Sequence, residues 1–166
     1  MTFLGAGEIL QGREYARRVA YYLFNFVKAD AAKGPAQREH AAGFLRVRMW
    51  GIDAGERHRN ALTAGDLVLI YLGAPRREFI GRAELGSAVH DWTPSEAQVY
   101  PGDSPSGVVL ADVEEWDPPV PIDAVLSQID PAEGARADFE ARVLRITPNE
   151  YETTLAVAAG RALPTD

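Results

Sequence analysis

A chain of 166 residues is long enough to bury a core and short enough for one domain. Its 46% hydrophobic and 25% charged residues suit a soluble globular protein, and the lack of cysteine excludes disulfides, thiolate metal sites and cysteine nucleophiles. The net charge of −7 is uneven, with 13 Lys and Arg against 8 Asp and Glu up to Arg82 and 4 against 16 beyond it, so an acidic whole leaves room for one basic face.

Residues 1–17, with Gly5, Gly7 and Gly12, read as an N-terminal extension. Arg18–Val27, rich in aromatic and β-branched residues, predicts the first strand. Asn25 inside it is an amide that must either bond a neighbouring loop or face a cavity. Lys28–Ala42 is broken by Gly34-Pro35 and predicts a loop and a short helix. Phe44–Trp50 alternates apolar and basic residues, the pattern of a half-buried strand with Arg46 and Arg48 on one side. Glu56–Leu62 predicts a short helix, and Gly65-Asp66 a turn. Leu67–Tyr71 is apolar throughout and predicts a buried central strand. The turn 73–77 joins it as a hairpin to a strand at Phe79–Ser87.

Gly86–Gly107 predicts a long loop whose large aromatics pack onto something. Val108–Trp116 returns as a strand, and Asp117–Ile122 crosses over, extended, to a short helix ending at Ile129. Phe139–Ile146 predicts the last strand. Thr147-Pro148-Asn149-Glu150 has the spacing of a capping box opening a helix that Gly160 ends, leaving 161–166 as a tail. Strands with interspersed short helices make this an α+β chain, of the kind whose curved sheet closes on itself as a small barrel.

The order of certain blocks is more specific than any one of them. Trp50-Gly51-Ile52, Asn60-Ala61-Leu62, Gly65-Asp66-Leu67-Val68-Leu69-Ile70-Tyr71, Phe79-Ile80-Gly81-Arg82-Ala83-Glu84, Val113-Glu114-Glu115-Trp116, Pro119-Val120-Pro121-Ile122 and Arg145-Ile146-Thr147-Pro148-Asn149-Glu150-Tyr151-Glu152 follow one another. From about Arg18 to about Leu155 this resembles an EVE domain of the PUA-like superfamily, a relative of the YTH domains. The resemblance implies an EVE (PUA-like) domain over 18–160, a pseudo-barrel of about six strands flanked by short helices. It also implies a non-enzymatic reader that holds a modified base of DNA or RNA in an aromatic pocket. By position, Trp50 matches one cage wall and Trp92 a second, and Tyr22, Leu23, Asn25 and Phe26 correspond to pocket positions of the first strand.

The residues support that assignment on their own terms. Trp50 ends a strand just before Gly51 and Ile52, where the backbone turns sharply and an indole face can be left open. Asn25 carries both a donor and an acceptor, as a base edge does, and the 86–107 loop can close the pocket through Trp92. Arg46, Arg48, Arg57, Arg59, Arg76 and Arg77 flank the same hairpin unit and are expected to hold phosphates without reading sequence.

Trp116 reads as structural. His40, His58 and His90 lack metal-ligand spacing, so no metal, cofactor or catalytic residue is expected. Asp112, Glu114 and Glu115 keep open a modification-dependent nuclease or an RNA-processing component, and the Pro-rich acidic half keeps open a protein-interaction module. No apolar run nears the roughly 20 residues of a membrane helix. Met1-Thr2-Phe3-Leu4-Gly5 does not open a signal peptide. A cytoplasmic protein is expected, with a modified nucleic acid as its partner, no membrane, and room for an effector protein.

Overall fold

The computed structural model describes residues 19–26, 35–129 and 141–162. The predicted extension, the loop 28–34, and parts of the first and last predicted strands lie outside them. In chain order the described elements are β1 (Tyr21–Phe26), α1 (Pro35–Val47), β2 (Met49–Gly51), a 3₁₀ turn (Arg59–Ala61), β3 (Leu67–Leu72) and β4 (Glu78–Leu85). Then come β5 (His90–Asp91), α2 (Pro94–Val99), β6 (Ser106–Pro121), α3 (Ile122–Leu126), β7 (Val143–Ile146) and α4 (Pro148–Ala162).

The sheet is built outward from its most apolar strand. β3 pairs in parallel with β1 and antiparallel with β4, and from Val68 onward every residue is buried. A strand with neighbours on both edges and cover on both faces leaves no place for polar alternation, so its sequence reads as a continuous apolar run. The full order is β2-β6-β4-β3-β1-β7, with β5 beside β6. Alternate side chains feed two cores. Tyr22, Phe24 and Phe26 of β1 join Val68, Ile70 and Leu72 in one, together with Ala41 and Leu45 of α1. Leu23, Leu69 and Tyr71 join Val125 of α3 and Tyr151 and Ala158 of α4 in the other.

β4 and β6 change register twice along their pairing, and Asp112 of β6 has φ +49°. Bulges of this kind bend the strand that carries them. The strands also run very close: a Cβ on Gly81 would strike the carbonyl of Glu114. That contact explains the glycine in Phe79-Ile80-Gly81-Arg82.

One expected strand is a helix. Phe44–Val47 belongs to α1, and only Met49–Gly51 is extended. The apolar–basic alternation there also fits a helical stripe: Gln37, Ala41 and Leu45 recur every four residues and are all buried. Arg46 and Arg48 therefore do not share one face of a strand. α1 ends where Arg48 takes φ +60° and its N–H meets the carbonyl of Leu45 at 3.1 Å. The helix expected at Glu56–Leu62 shrinks to turns and the 3₁₀ turn at Arg59–Ala61. The 86–107 segment is less irregular than expected, since it contains β5 and α2. Thr93 and Glu96 form a capping box at the start of α2. β6 absorbs the strand expected at Val108–Trp116 and most of the crossover after it. At α4 the expected box is present: Glu150 N–H donates to Thr147 Oγ1 at 3.0 Å and Thr147 N–H to Glu150 Oε1 at 2.8 Å. Gly160 does not end this helix, which runs to Ala162.

Asp66 ties the centre together. Fully buried, it accepts from Ala20 N–H through Oδ1 at 3.2 Å and from Thr63 N–H through Oδ2 at 3.1 Å. Its backbone carbonyl accepts from Leu85 N–H at 2.8 Å, and Leu85 in turn accepts from Gly65 N–H. Gly65, at φ +97°, supplies the left-handed turn this geometry needs. Asp66→Ala removes the acceptor from two half-buried N–H donors and should cost about 2–3 kcal/mol, since a hydrogen bond to a charged group is worth about 1.5–3 kcal/mol and water can partly replace it. Urea unfolding of the two proteins measures it, and equal midpoints would remove the carboxylate from this role.

Candidate nucleic-acid pocket

The end of β1, the end of β2 and the start of β7 meet around a cavity of about 510 Å³, a size typical of small-ligand sites. Asn25 and Phe26 come from β1, Trp50 and Gly51 from β2 with Ile52 just after it, and Arg142 and Val143 from the β7 end. Phe44 of α1, Tyr100 and residues 102–105 complete the wall, with Asp53 and Glu56 beside them. The parallel β1–β3 pairing puts Asn25 opposite Tyr71 at this end, and the Asn25 N–H donates to Arg142 O at 2.8 Å. Its side-chain oxygen lies against Gly73.

The walls are a run of touching rings. Phe44 and Tyr100 lie nearly parallel, 5.4 Å apart at 14°. Phe44 meets Trp50 edge-on at 5.4 Å, and Trp50 stacks on Phe24 at 5.9 Å. Behind Tyr100 stands Trp92, at 4.8 Å. Arrangements of this kind are the favoured geometries of aromatic pairs.

Tyr100 is held by the absence of side chains around it. A Cβ on Gly51 would run into its hydroxyl, and a Cβ on Gly102 into its ring. The Gly51 N–H donates to that hydroxyl, while burial pushes the Tyr100 pKa up to about 12. Trp92 locks the same loop: its Nε1–H donates to Ser104 O at 2.8 Å, and its ring lies where a Cβ on Gly107 would be. Ser104 Oγ donates to Ser106 O at 2.8 Å, and Ile52 N–H to the same carbonyl at 3.0 Å. His90 braces the outer end, 2.9 Å from Glu96 Oε1, and its pKa is raised chiefly by the carbonyl of Ala88 and further by Glu96.

Of the residues singled out in the sequence, Asn25, Phe26, Trp50, Gly51 and Ile52 come together at this cavity. Trp92 is not on its lining; Tyr100 takes that place, with Trp92 as its support. Tyr22 and Leu23 are not on it either: Tyr22 belongs to one core and Leu23 to the other. Trp50 is only 5% exposed and packed among Phe24, Phe26 and Phe44, so it is core and wall at once, not an indole with one face open.

The arginines do not form one set. Arg59 Nη1 donates to Ile52 O at 3.1 Å and to Ser106 Oγ at 3.1 Å, which fixes the backbone beside the cavity. Arg76 pairs with Glu78 at 3.1 Å, and Arg77 interacts with the Tyr71 hydroxyl. Arg46 and Arg76 line a different hollow of about 430 Å³, with Arg38, Glu115 and Trp116. Arg48 and Arg57 are exposed. Asp112 and Glu114 both pair with Arg82, at 3.5 and 3.2 Å. Among the described residues, no group of three or more His, Asp or Glu could hold a metal ion, and no helix is long and apolar enough to cross a membrane.

Phe44, Tyr100 and Arg142 were missed as site residues. Strand-like alternation masked Phe44. Tyr100 had a usable signal, an aromatic followed two residues later by a glycine, but the larger Trp92 drew the assignment.

No family model and no curated protein matches the chain. Solved structures do. Rpa0253 from Rhodopseudomonas palustris is 20% identical with a TM-score of 0.56, the match covering 88% of this chain and 97% of that one. The YTH domain of Zygosaccharomyces rouxii MRB1, in complex with N6-methyladenosine RNA, is 12% identical with a TM-score of 0.59, covering 90% and 88%. Human THYN1, in complex with DNA containing 5-methylcytosine, is 10% identical with a TM-score of 0.54, covering 87% and 99%. The likeness is one of fold: a curled mixed sheet with four helices among the described residues, the α+β PUA-like pseudo-barrel expected from the sequence.

Two predictions follow from the geometry at Tyr100. Gly51→Ala should displace the 100–105 segment and cost about 1–3 kcal/mol, the range for overpacking; unchanged melting and unchanged aromatic NMR shifts would contradict the contact. The second concerns alkaline pH. Tyr100 ionises near 10.0 when unfolded and near 12 when folded, so its contribution is complete below pH 10 and is lost as pH rises toward 12. Denaturant midpoints should fall across that window, and Tyr100→Phe should fall less steeply.

Proposed function

We propose that this chain is a non-catalytic reader of a modified base, an EVE-type member of the PUA-like group. A single base leaves DNA or RNA and enters the cavity beside Trp50. The observation that carries the reading is a cavity of about 510 Å³ lined by the aromatic rings of Phe26, Phe44, Trp50 and Tyr100 that also reaches a buried amide. Flat rings provide stacking worth about 1–3 kcal/mol per base. Asn25, 3% exposed, offers a polar group to the edge of an extruded base. Support also comes from two structures of the same fold, one bound to N6-methyladenosine RNA and the other to DNA containing 5-methylcytosine.

Affinity is expected to be modest. Burying one methyl group contributes about 1 kcal/mol, while extruding a paired base costs a few kcal/mol. Phosphate contacts must make up the difference. Of the arginines expected to hold phosphates, the exposed Arg48 and Arg57 are the ones proposed to supply them, whereas Arg59 acts on the protein's own backbone.

Fluorescence anisotropy against a panel of oligonucleotides, each with one modified base, tests the proposal. One modified oligonucleotide should bind more tightly than its unmodified counterpart. Tyr100→Ala and Phe44→Ala should each weaken that binding roughly 10- to 100-fold. Trp50→Ala is a poorer probe, because losing a core Trp costs about 3–5 kcal/mol. No preference for any modified base, or full binding by both variants, would overturn the reading.

A further inference from the structure

The charges around the cavity narrow what kind of base it takes. Its lining carries three carboxylates, on Asp53, Glu56 and Asp103, against one guanidinium, on Arg142, while a second guanidinium, on Arg59, is held behind the wall by the carbonyls of Ile52 and Asp53. Arg142 pairs with Asp53 at 3.7 Å, and both are more than half exposed. The acidic excess therefore sits with Glu56 and Asp103. A phosphate is repelled at such a place, and a neutral base gains only the hydrogen bonds its own N–H groups donate. A base that is itself a cation is drawn in by the carboxylates and packs more strongly against the half-buried rings of Phe44 and Tyr100, whose quadrupoles attract positive charge.

We infer that the pocket prefers a base made cationic by alkylation of a ring nitrogen, as in 3-methylcytosine, 1-methyladenine or 7-methylguanine, over a base with a neutral modification. The inference rests on the reader function proposed above and specifies its ligand class. Aromatic walls alone accept any base. Carboxylates alone would attract any cation, a metal ion included. Together on one cavity of about 510 Å³ they fit a flat, positively charged ring.

Two pairs of methylation isomers, read together with salt and with variants of the carboxylates, separate charge from shape. 3-Methylcytosine and 5-methylcytosine differ in where the methyl sits, as do 1-methyladenine and N6-methyladenine, and only the first of each pair takes up a proton to become a cation at neutral pH. Placed singly in one short single-stranded oligonucleotide, they keep the phosphate contacts constant. The cationic isomer of each pair should bind about tenfold more tightly, and the ratio should shrink as salt is added. Asp103→Asn and Glu56→Gln should lower the ratio toward one by weakening the cationic isomer more than the neutral one. Melting curves of both variants check that the fold is kept.

If the neutral isomers bind as tightly as the cationic ones or more so, the inference falls while the reader function stands. If no modified oligonucleotide binds better than the unmodified one, the reader function falls, and the inference with it. A charge preference that survives in both variants would also overturn the role given to the carboxylates.

Discussion

A single buried carboxylate holds the centre of this fold. Asp66 sits where β1 begins, where the turn before β3 closes and where β4 ends, and it satisfies backbone donors from the first two of these. Parallel strands such as β1 and β3 have no tight turn to set their register. Here the register at Tyr21↔Leu67 is secured just outside the sheet by Asp66 Oδ1 on Ala20 and by Leu67 N–H on Ala20 O at 3.0 Å. The consequence lies at the other end of the same pair. A one-residue slip would exchange the two faces of β1, sending Phe24 and Phe26 away from Trp50 and turning Asn25 from the far end of the strand. The geometry of the cavity is thus set partly by a residue that lies nowhere on it.

The cavity wall depends on a second constraint, the exclusion of side chains from around one ring. Gly51 and Gly102 let Tyr100 come flush against the backbone, and Gly107 does the same for Trp92. A chain segment outside regular structure ordinarily has several conformations of similar energy. This one is pinned by Trp92 to Ser104, by Ser104 to Ser106 and by Thr93 to Glu96. Tyr100 is thereby presented to Phe44 already in position. A ligand bound there as proposed would not spend free energy on ordering the loop, which otherwise costs about 0.5–1.5 kcal/mol per immobilised side chain.

What was legible in the sequence, and what was not, follows the same physics. β3 was readable because burial on both faces leaves no alternative to an apolar run. The box at Thr147 was readable because capping depends only on local spacing. The β1 and β2 contributions to the cavity came from strand ends and a glycine, which are also local signals. α1 was misread because Phe44-Leu45-Arg46-Val47-Arg48-Met49 satisfies a period of two, while the true stripe opens on a polar residue, Gln37, that is buried and donates to Gly73 O. The exchange of Trp92 for Tyr100 was out of reach for a different reason. Which of two aromatics in one loop faces the cavity depends on where β5 and α2 turn the chain, and that is decided by the pairing of β5 with β6, which local spacing does not show.

The charge distribution bears on how such a domain would engage a polyanion. A protein that gains its affinity from phosphates has a steep salt dependence and little interest in which base it meets. Here the arginines are largely committed: Arg59 to backbone, Arg76 to Glu78, Arg82 to Asp112 and Glu114. The chain as a whole carries −7, and its cavity is acidic. Weak backbone attraction lowers non-specific binding, so in the proposed reader a larger share of the binding free energy would have to come from a base inside the cavity. Discrimination between bases rises as that share rises. An acidic surface, unfavourable for tight nucleic-acid binding, is in this sense consistent with selective binding of rare bases against a large excess of ordinary ones.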